Sequence, residues 1–298
     1  MLANQSSQPK KILLAVDGSE HSLAAAQFVH DLPLPLGSRI CILSVLIPRE
    51  AGLKTYALEH FMERVSQMLQ DKGAEISTCL IAGNPATEIV REAKEVGTDV
   101  IVMGAKGLRA TLGILLGGVA QQVVEHAGEP VMVIRAPYVG MRNILLVVDG
   151  SSQSMEAVNY LAQFPFSQEA EVQVLHILPP MPSTDALAQA FPGVTEGVYY
   201  PMPEDLDALN RLAEEEQEEG EALLKNIQQQ LEKSGIFAQT ILLRGDAATE
   251  IIEYTKRHQM DLVVAGSRGL GGFEGWVLGS VSRKLVHYAG CSVLIVKS

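Results

Sequence analysis

The sequence predicts an α/β chain of two tandem doubly wound domains, residues 1–138 and 139–298, each a five-stranded parallel sheet flanked by helices. Three observations carry this. First, segments recur. KILLAVDGSE (11–20) returns as NILLVVDGSS (143–152), and GNPATEIVREAKEVGTDVIVMGAKG (83–107) as GDAATEIIEYTKRHQMDLVVAGSRG (245–269). LGGVAQQVVEHAGEPVMVIR (116–135) returns as LGSVSRKLVHYAGCSVLIVK (278–297). Second, short continuous apolar runs alternate with helical patterns, which suits strands buried on both faces of a parallel sheet. Third, the repeat is far too long for a solenoid, so each copy is expected to hold its own core.

The first strands are Ile12–Val16 and Ile144–Val148. Each ends in Asp-Gly-Ser, and Asp17, Ser19, Asp149 and Ser151 suit the cap of a following helix. Second strands follow at Ile40–Leu46 and Val172–Leu178. The next helix spans about Tyr56 to Gln70 in the first copy and about Leu206 to Leu231 in the second, with stops at Lys72-Gly73 and Ser234-Gly235. Third strands are Glu75–Ile81 and Ala238–Leu243, and short helices start near Pro85 and Ala247. Fourth strands are Asp99–Met103 and Asp261–Ala265. Glycine-rich loops, last helices and fifth strands (Val131–Arg135, Val293–Lys297) finish each copy. The second copy carries about 30 extra residues after its second strand. This insertion, about 179–210, is rich in proline, glycine and tyrosine and reads as a loop or lid, with Tyr199 or Tyr200 able to shield a bound base. The segment Ala136–Arg142 between the copies is short, so they should pack together. A pseudo-two-fold axis with the fifth strands facing one another would cover two apolar sheet edges.

Composition narrows the function. The chain is 47% hydrophobic, enough for two ordinary cores. No apolar run approaches the roughly 18 residues of a membrane helix, and the opening MLANQSSQPKK lacks the apolar stretch of a signal peptide. The expected location is cytoplasmic, without a membrane partner. The net charge of −12 argues against nucleic acid. Much of that charge lies between Glu204 and Glu221, a solvated helix face or a docking surface for a basic protein. Cys41, Cys79 and Cys291 read as reduced thiols, and the histidines form no metal-binding pair.

Ligands of doubly wound sheets bind beyond the carboxyl ends of the strands. Asp17 and Asp149 follow strand one, and the glycine loops follow strand four. If those strands are neighbours, both features meet in one crevice. In the second copy the loop reads Gly266-Ser267-Arg268-Gly269, then nine residues, then Gly279-Ser280 at a helix start. Glycines admit a bulky anion, and a helix start offers free N–H donors at the positive end of its dipole. Ser280 and Ser282 add hydroxyls, and Arg268 adds charge. The loop is neither a Walker A sequence nor a GxGxxG fingerprint.

Asp149, the Gly266-x2-Gly269-x9-Gly279-Ser280 spacing and the closing apolar strand together resemble the universal stress protein family, in its tandem form. The resemblance covers both copies from strand one to strand five. It implies strand order 3-2-1-4-5 and binding of ATP or a related adenine nucleotide (AMP or ADP), with or without Mg²⁺. By position, Asp149 would hold the ribose or the adenine edge, and Ile177 would meet the adenine through its backbone. Gly266, Gly269, Gly279, Ser280 and Ser282 would hold ribose and phosphates. The first copy keeps Asp17, Val45, Gly104, Gly107 and Gly117 as a weaker candidate site. There Gly118 and Ala120 replace the two serines, and Lys106 replaces Arg268, so the second copy is expected to bind more tightly. The resemblance also implies pairing through the last strand, and it allows a homodimer of the intact chain.

No catalytic constellation stands out. His287 lies about two helical turns beyond Ser280, too far for a nucleophile–base pair. An ATP-dependent ligase of the related pyrophosphatase-type fold would carry SGGxDS after strand one, which DGSE and DGSS do not supply. The reading is therefore a nucleotide-dependent stress-response or signalling protein. The alternatives are a slow ATPase and a nucleotide-free protein-interaction module.

Overall fold

A computed structural model of the protein describes residues 8–48, 52–108, 116–167, 169–181, 203–269 and 278–297, without the side chains of 53 and 203–206. The first copy comprises β1 (Lys11–Ala15), α1 (Glu20–Asp31), β2 (Arg39–Leu46), α2 (Leu53–Leu69), β3 (Glu75–Ala82), α3 (Pro85–Val96), β4 (Val100–Gly104), α4 (Gly118–His126) and β5 (Val131–Ile134). The second comprises β6 (Asn143–Val148), α5 (Ser152–Gln163), β7 (Glu171–Leu178), α6 (Pro203–Lys233), β8 (Ala238–Arg244), α7 (Ala247–Arg257), β9 (Leu262–Gly266), α8 (Ser280–Tyr288) and β10 (Ser292–Val296).

Within each copy the strands are parallel and in the expected order. The expectation of two separate five-stranded sheets needs correction. The strands form one sheet, β3-β2-β1-β4-β5-β10-β9-β6-β7-β8. Its seam is antiparallel, with Val133 opposite Val293, Met132 opposite Leu294 and Val131 opposite Ile295. The physical reason is the edge problem: β5 is buried along its whole length, and an uncovered apolar edge would invite pairing with other chains. Here each copy covers the other.

The cores are likewise joined. On one face of the sheet, Leu14, Phe28, Val65 and Leu69 belong to the same apolar cluster as Leu146, Val158 and Leu224. On the other, Leu13, Ile89 and Val123 join Leu145, Ile251 and Leu285. Helices α1, α2, α5 and α6 thus cover one face, and α3, α4, α7 and α8 the other. A cross-copy hydrogen bond from the Tyr160 hydroxyl of α5 to the Asp99 carbonyl adds a polar tie.

Side-chain caps set four of the helix starts. Ser19 accepts from the Ser22 N–H, Ser151 from Ser154, Asn84 from Thr87 and Asp246 from Thr249. The starts of α4 and α8 differ: Gly117 and Gly279 occupy the cap positions and no side chain caps either helix. Their first N–H groups keep room for an external acceptor.

Helix α2 has 17 residues and α6 has 31, so α6 runs roughly 20 Å further at its N-terminal end. It begins at Pro203, so the last residues of the expected 179–210 loop are helical. Tyr199 and Tyr200 lie outside the described residues. Among the described residues, no helix is long and apolar enough to cross a membrane. Nor, among the described residues, is any group of three or more His, Cys, Asp or Glu side chains placed to hold a metal ion.

Candidate functional site

β1 and β4 are neighbours in register, with Ala15 beside Met103, and this brings the Asp-Gly-Ser turn and the glycine loop of the first copy to one crevice. The Asp17 carboxylate accepts from the Ser19 N–H at 3.0 Å and from the Leu108 N–H at 3.1 Å. A Cβ at Gly107 would lie 2.5 Å from Asp17 Oδ2. A side chain there would push the carboxylate out of its place against the loop. The second copy repeats this arrangement: Ser151 donates to Asp149, and a Cβ at Gly269 would clash with Asp149 Oδ2.

The other glycines divide by task. A Cβ at Gly104 would fall 2.6 Å from the His21 backbone, and one at Gly266 would fall 2.6 Å from the Gln153 backbone. These two let the first turn of α1 or α5 lie directly on the strand end. Gly117 and Gly279 turn the chain into α4 and α8 against the loop, through N–H bonds to Ala105 and Ser267 carbonyls. Open space surrounds a Cβ placed at Gly118. Its counterpart Ser280 is exposed at the first position of α8.

Ser282 is placed differently from the expectation. It is buried, and its hydroxyl donates to the Gly266 carbonyl at 2.7 Å. That hydroxyl ties α8 to the end of β9 and is already engaged. Arg268 and Lys106 stand at matching places in the two loops, both partly exposed.

The first-copy crevice deepens into a cavity of about 520 Å³. Val45, Leu46 and Met103 line it from the sheet, Leu58 and Phe61 from α2, and Ile89 from α3, while Asp17, Lys106, Gly107, Gly117 and Gly118 rim it. All the first-copy candidates, Asp17, Val45, Gly104, Gly107, Gly117 and Gly118, line this one space. The α2 residues were missed from the sequence. Their signal was the spacing of Leu58 and Phe61, one helical face of i, i+3 contacts. Lys54, a turn earlier on α2, also reaches the cavity.

In the second copy different described groups stand at the strand ends. His176 stands where the first copy has Ser44, and its Nδ1 lies 2.8 Å from the Val148 carbonyl. Gly220 of α6 stands where α2 has Leu58. A Cβ there would meet Leu242, Leu178 and His176 at 3.0–3.2 Å. Arg244 pairs with Glu216 and donates to the Pro179 carbonyl, strapping the end of β8 to α6. Ile177 is half-buried against the neighbouring core.

Charge is also perturbed at the crevice margin. His21 accepts the Ala136 N–H on Nδ1 at 2.9 Å, and burial, with Lys106 and Arg135 nearby, lowers its pKa below 6.5. The ring is thus held neutral, with the linker between the copies bound to it.

The comparisons with known proteins agree with this architecture. The universal stress protein family model matches residues 9–135 and again 140–297. Universal stress protein YxiE of Bacillus subtilis is 32% identical over 155 residues, covering 52% of this chain and 97% of that protein. A universal stress protein of Mycolicibacterium smegmatis is 25% identical over 316 residues, covering 98% of this chain and 99% of its own length. The crystal structure of a universal stress protein from Archaeoglobus fulgidus superposes with a TM-score of 0.68 at 19% identity, covering 98% of this chain and 97% of that one, a likeness of fold.

Proposed function

The chain belongs to the universal stress protein family, and from that membership and the crevice geometry we propose that it binds an adenine nucleotide and signals through nucleotide occupancy. The observation that carries this reading is the first-copy cavity, which joins three features in one space. An apolar slot suits a base, a fixed carboxylate suits a ribose, and an uncapped helix start suits phosphate.

In the first copy the base would lie between Val45 and the α2 side chains Leu58 and Phe61. Asp17 would meet the ribose, and the phosphates would lie beside Gly117 and take the free N–H groups at Gly118 and Val119, the first residues of α4, with Lys106 beside them. The second-copy set is Asp149, Ile177, Gly266, Arg268, Gly269, Gly279, Ser280 and Ser282. In both copies the fourth-strand glycine, Gly104 or Gly266, acts by letting the crevice wall close. Ser282 acts the same way, so the tighter grip expected of the second copy rests on Ser280. The ligand is ATP, ADP or AMP, with Mg²⁺ a companion of the phosphates. Occupancy would then govern conformation or engagement of a protein partner in the cytoplasm.

Calorimetric titration with ATP of the wild type, Gly117→Val and Gly279→Val tests the reading. Each valine would crowd the loop backbone at 3.2–3.4 Å and block one crevice. Two binding events are expected in the wild type and one in each variant. Absence of ATP binding to the wild-type chain would favour the interaction-module alternative, and steady release of phosphate would favour the ATPase.

A further inference from the structure

The last helices carry a feature that the nucleotide reading does not use. α4 and α8 each have nine residues, about 13 Å of helix, and their N-termini face the two candidate phosphate sites. At the opposite end, each is held by the other copy. Lys297, just past β10, donates from Nζ to the Val124 carbonyl in the last turn of α4, at 2.6 Å. Arg135, just past β5, donates from Nη2 to the Val286 carbonyl in the last turn of α8 and from Nε to the Cys291 carbonyl, both at 2.9 Å. Val124 and Val286 are matching positions of the two copies, as are Arg135 and Lys297. The exchange follows from the seam. Antiparallel pairing of β5 with β10 carries the end of each strand past the start of its partner, beneath the partner's helix.

Resting on the nucleotide reading, we infer that Lys297 and Arg135 are positioning residues acting in trans, each fixing the helix whose far end grips phosphate in the other copy. The carbonyls of a helix C-terminus lack intrahelical partners and form the negative end of the dipole. A cation there satisfies them, pins a short rigid helix, and adds to the positive potential at its start. A terminal basic residue on an apolar strand would otherwise sit in water, yet both of these are half-buried.

The surroundings of Lys297 make this grip sensitive to charge. Burial is the largest influence and Arg268, in the second-copy loop, also disfavours the ammonium. Glu125 on α4 and Glu129 in the loop before β5 favour it. The balance leaves the amine at about 8 instead of 10.5. Glu129 Oε2 is itself buried without a hydrogen-bond partner. Arg135 loses some basicity to burial as well, but as a guanidinium it stays charged.

The test uses the full chain with one crevice blocked. In a Gly279→Val background only the first-copy site is left, and ATP is titrated calorimetrically from pH 7.5 to 9.5. With Lys297 present, affinity is expected to fall by about threefold to tenfold as the amine loses its proton. Lys297→Met should show the weakened affinity at every pH, and Lys297→Arg should keep the strong affinity throughout. In a Gly117→Val background, Arg135→Met should weaken the second-copy site by a similar factor. A folded Lys297→Met chain with unchanged ATP affinity overturns the inference, as does a pH profile that persists in Lys297→Arg. A loss of thermal stability without a change in affinity also overturns it. Absence of ATP binding in the wild type appears before any variant is compared, and it sinks the nucleotide reading itself.

Discussion

The two copies share a backbone plan and differ in how they fill its open end. In the first, Leu58 and Phe61 of α2 line a cavity of about 520 Å³. In the second, Gly220 lets α6 press onto Leu178 and Leu242, His176 replaces a serine, and the Arg244–Glu216 pair straps the corner. The proposed phosphate side differs in the opposite sense, with Gly118 in the first copy and Ser280 in the second. Among the described residues, the first copy encloses a cavity and the second presents a hydroxyl. On the proposed reading, two halves of equal topology divide the features of one site, with shape set by the covering helix and grip by the start of the last one.

The shared part of the plan is the most costly to disturb. Gly104→Ala and Gly266→Ala each force a Cβ against helix backbone that cannot rotate away, and each should cost about 3 kcal/mol of stability. Chemical denaturation of the two variants should show comparable losses. A much smaller loss in one copy would show that its first helix is not held as tightly.

The comparison itself can be inverted at one position. Gly118→Ser places a hydroxyl in open space at the start of α4 and should raise first-copy ATP affinity by about tenfold or more, since a hydrogen bond to a charged group contributes roughly 1.5–3 kcal/mol. Ser280→Gly should lower second-copy affinity by a similar factor. Titration of each in the matching single-site background reads this directly, and equal affinities before and after would remove Ser280 from the phosphate grip.

Ser282→Ala sharpens the same contrast. Its hydroxyl is engaged by Gly266, so ATP affinity should change by less than about twofold while stability falls by about 1 kcal/mol. A large affinity loss would mean that the hydroxyl leaves Gly266 when nucleotide arrives.

The smallest effect concerns the linker, where the first copy has His21 and the second has Gln153. The folded pKa of His21 lies below its unfolded value of 6.5, so the unfolded chain takes up the proton more readily. The contribution of the neutral ring is complete above about pH 6.5 and fades as pH falls through the folded pKa. His21→Gln should remove this acid-side slope, worth less than about 1 kcal/mol, and denaturation between pH 5 and 7.5 should show the flatter profile.

Much of this organisation was legible in the sequence. Buried strands announce themselves as unbroken apolar runs, and β1 and β6 fall within one residue of their expected bounds. Asp17 and Asp149 could be paired with the glycine loops because parallel topology brings strands one and four together. Contacts that depend on a side chain's direction were not legible. Ser282 looks like a phosphate donor in a list of hydroxyls, and only its place on the inner face of α8 turns it toward Gly266. Lys297 reads as an ordinary polar end to a strand, since the carbonyl it reaches is far away in sequence. The cavity wall from α2 was hidden for a similar reason: amphipathic spacing identifies a face without saying how close it lies to its neighbour.

The antiparallel seam between β5 and β10 has a further consequence for heredity. Were the same sheet assembled from two identical chains, every substitution would strike both crevices together, and a glycine at one helix start would impose a glycine at the other. Joined within one polypeptide, the halves meet at any protein concentration, and each position can vary by itself. Gly118 and Ser280 are such a pair: the fusion lets one crevice carry a glycine while its twin carries a serine.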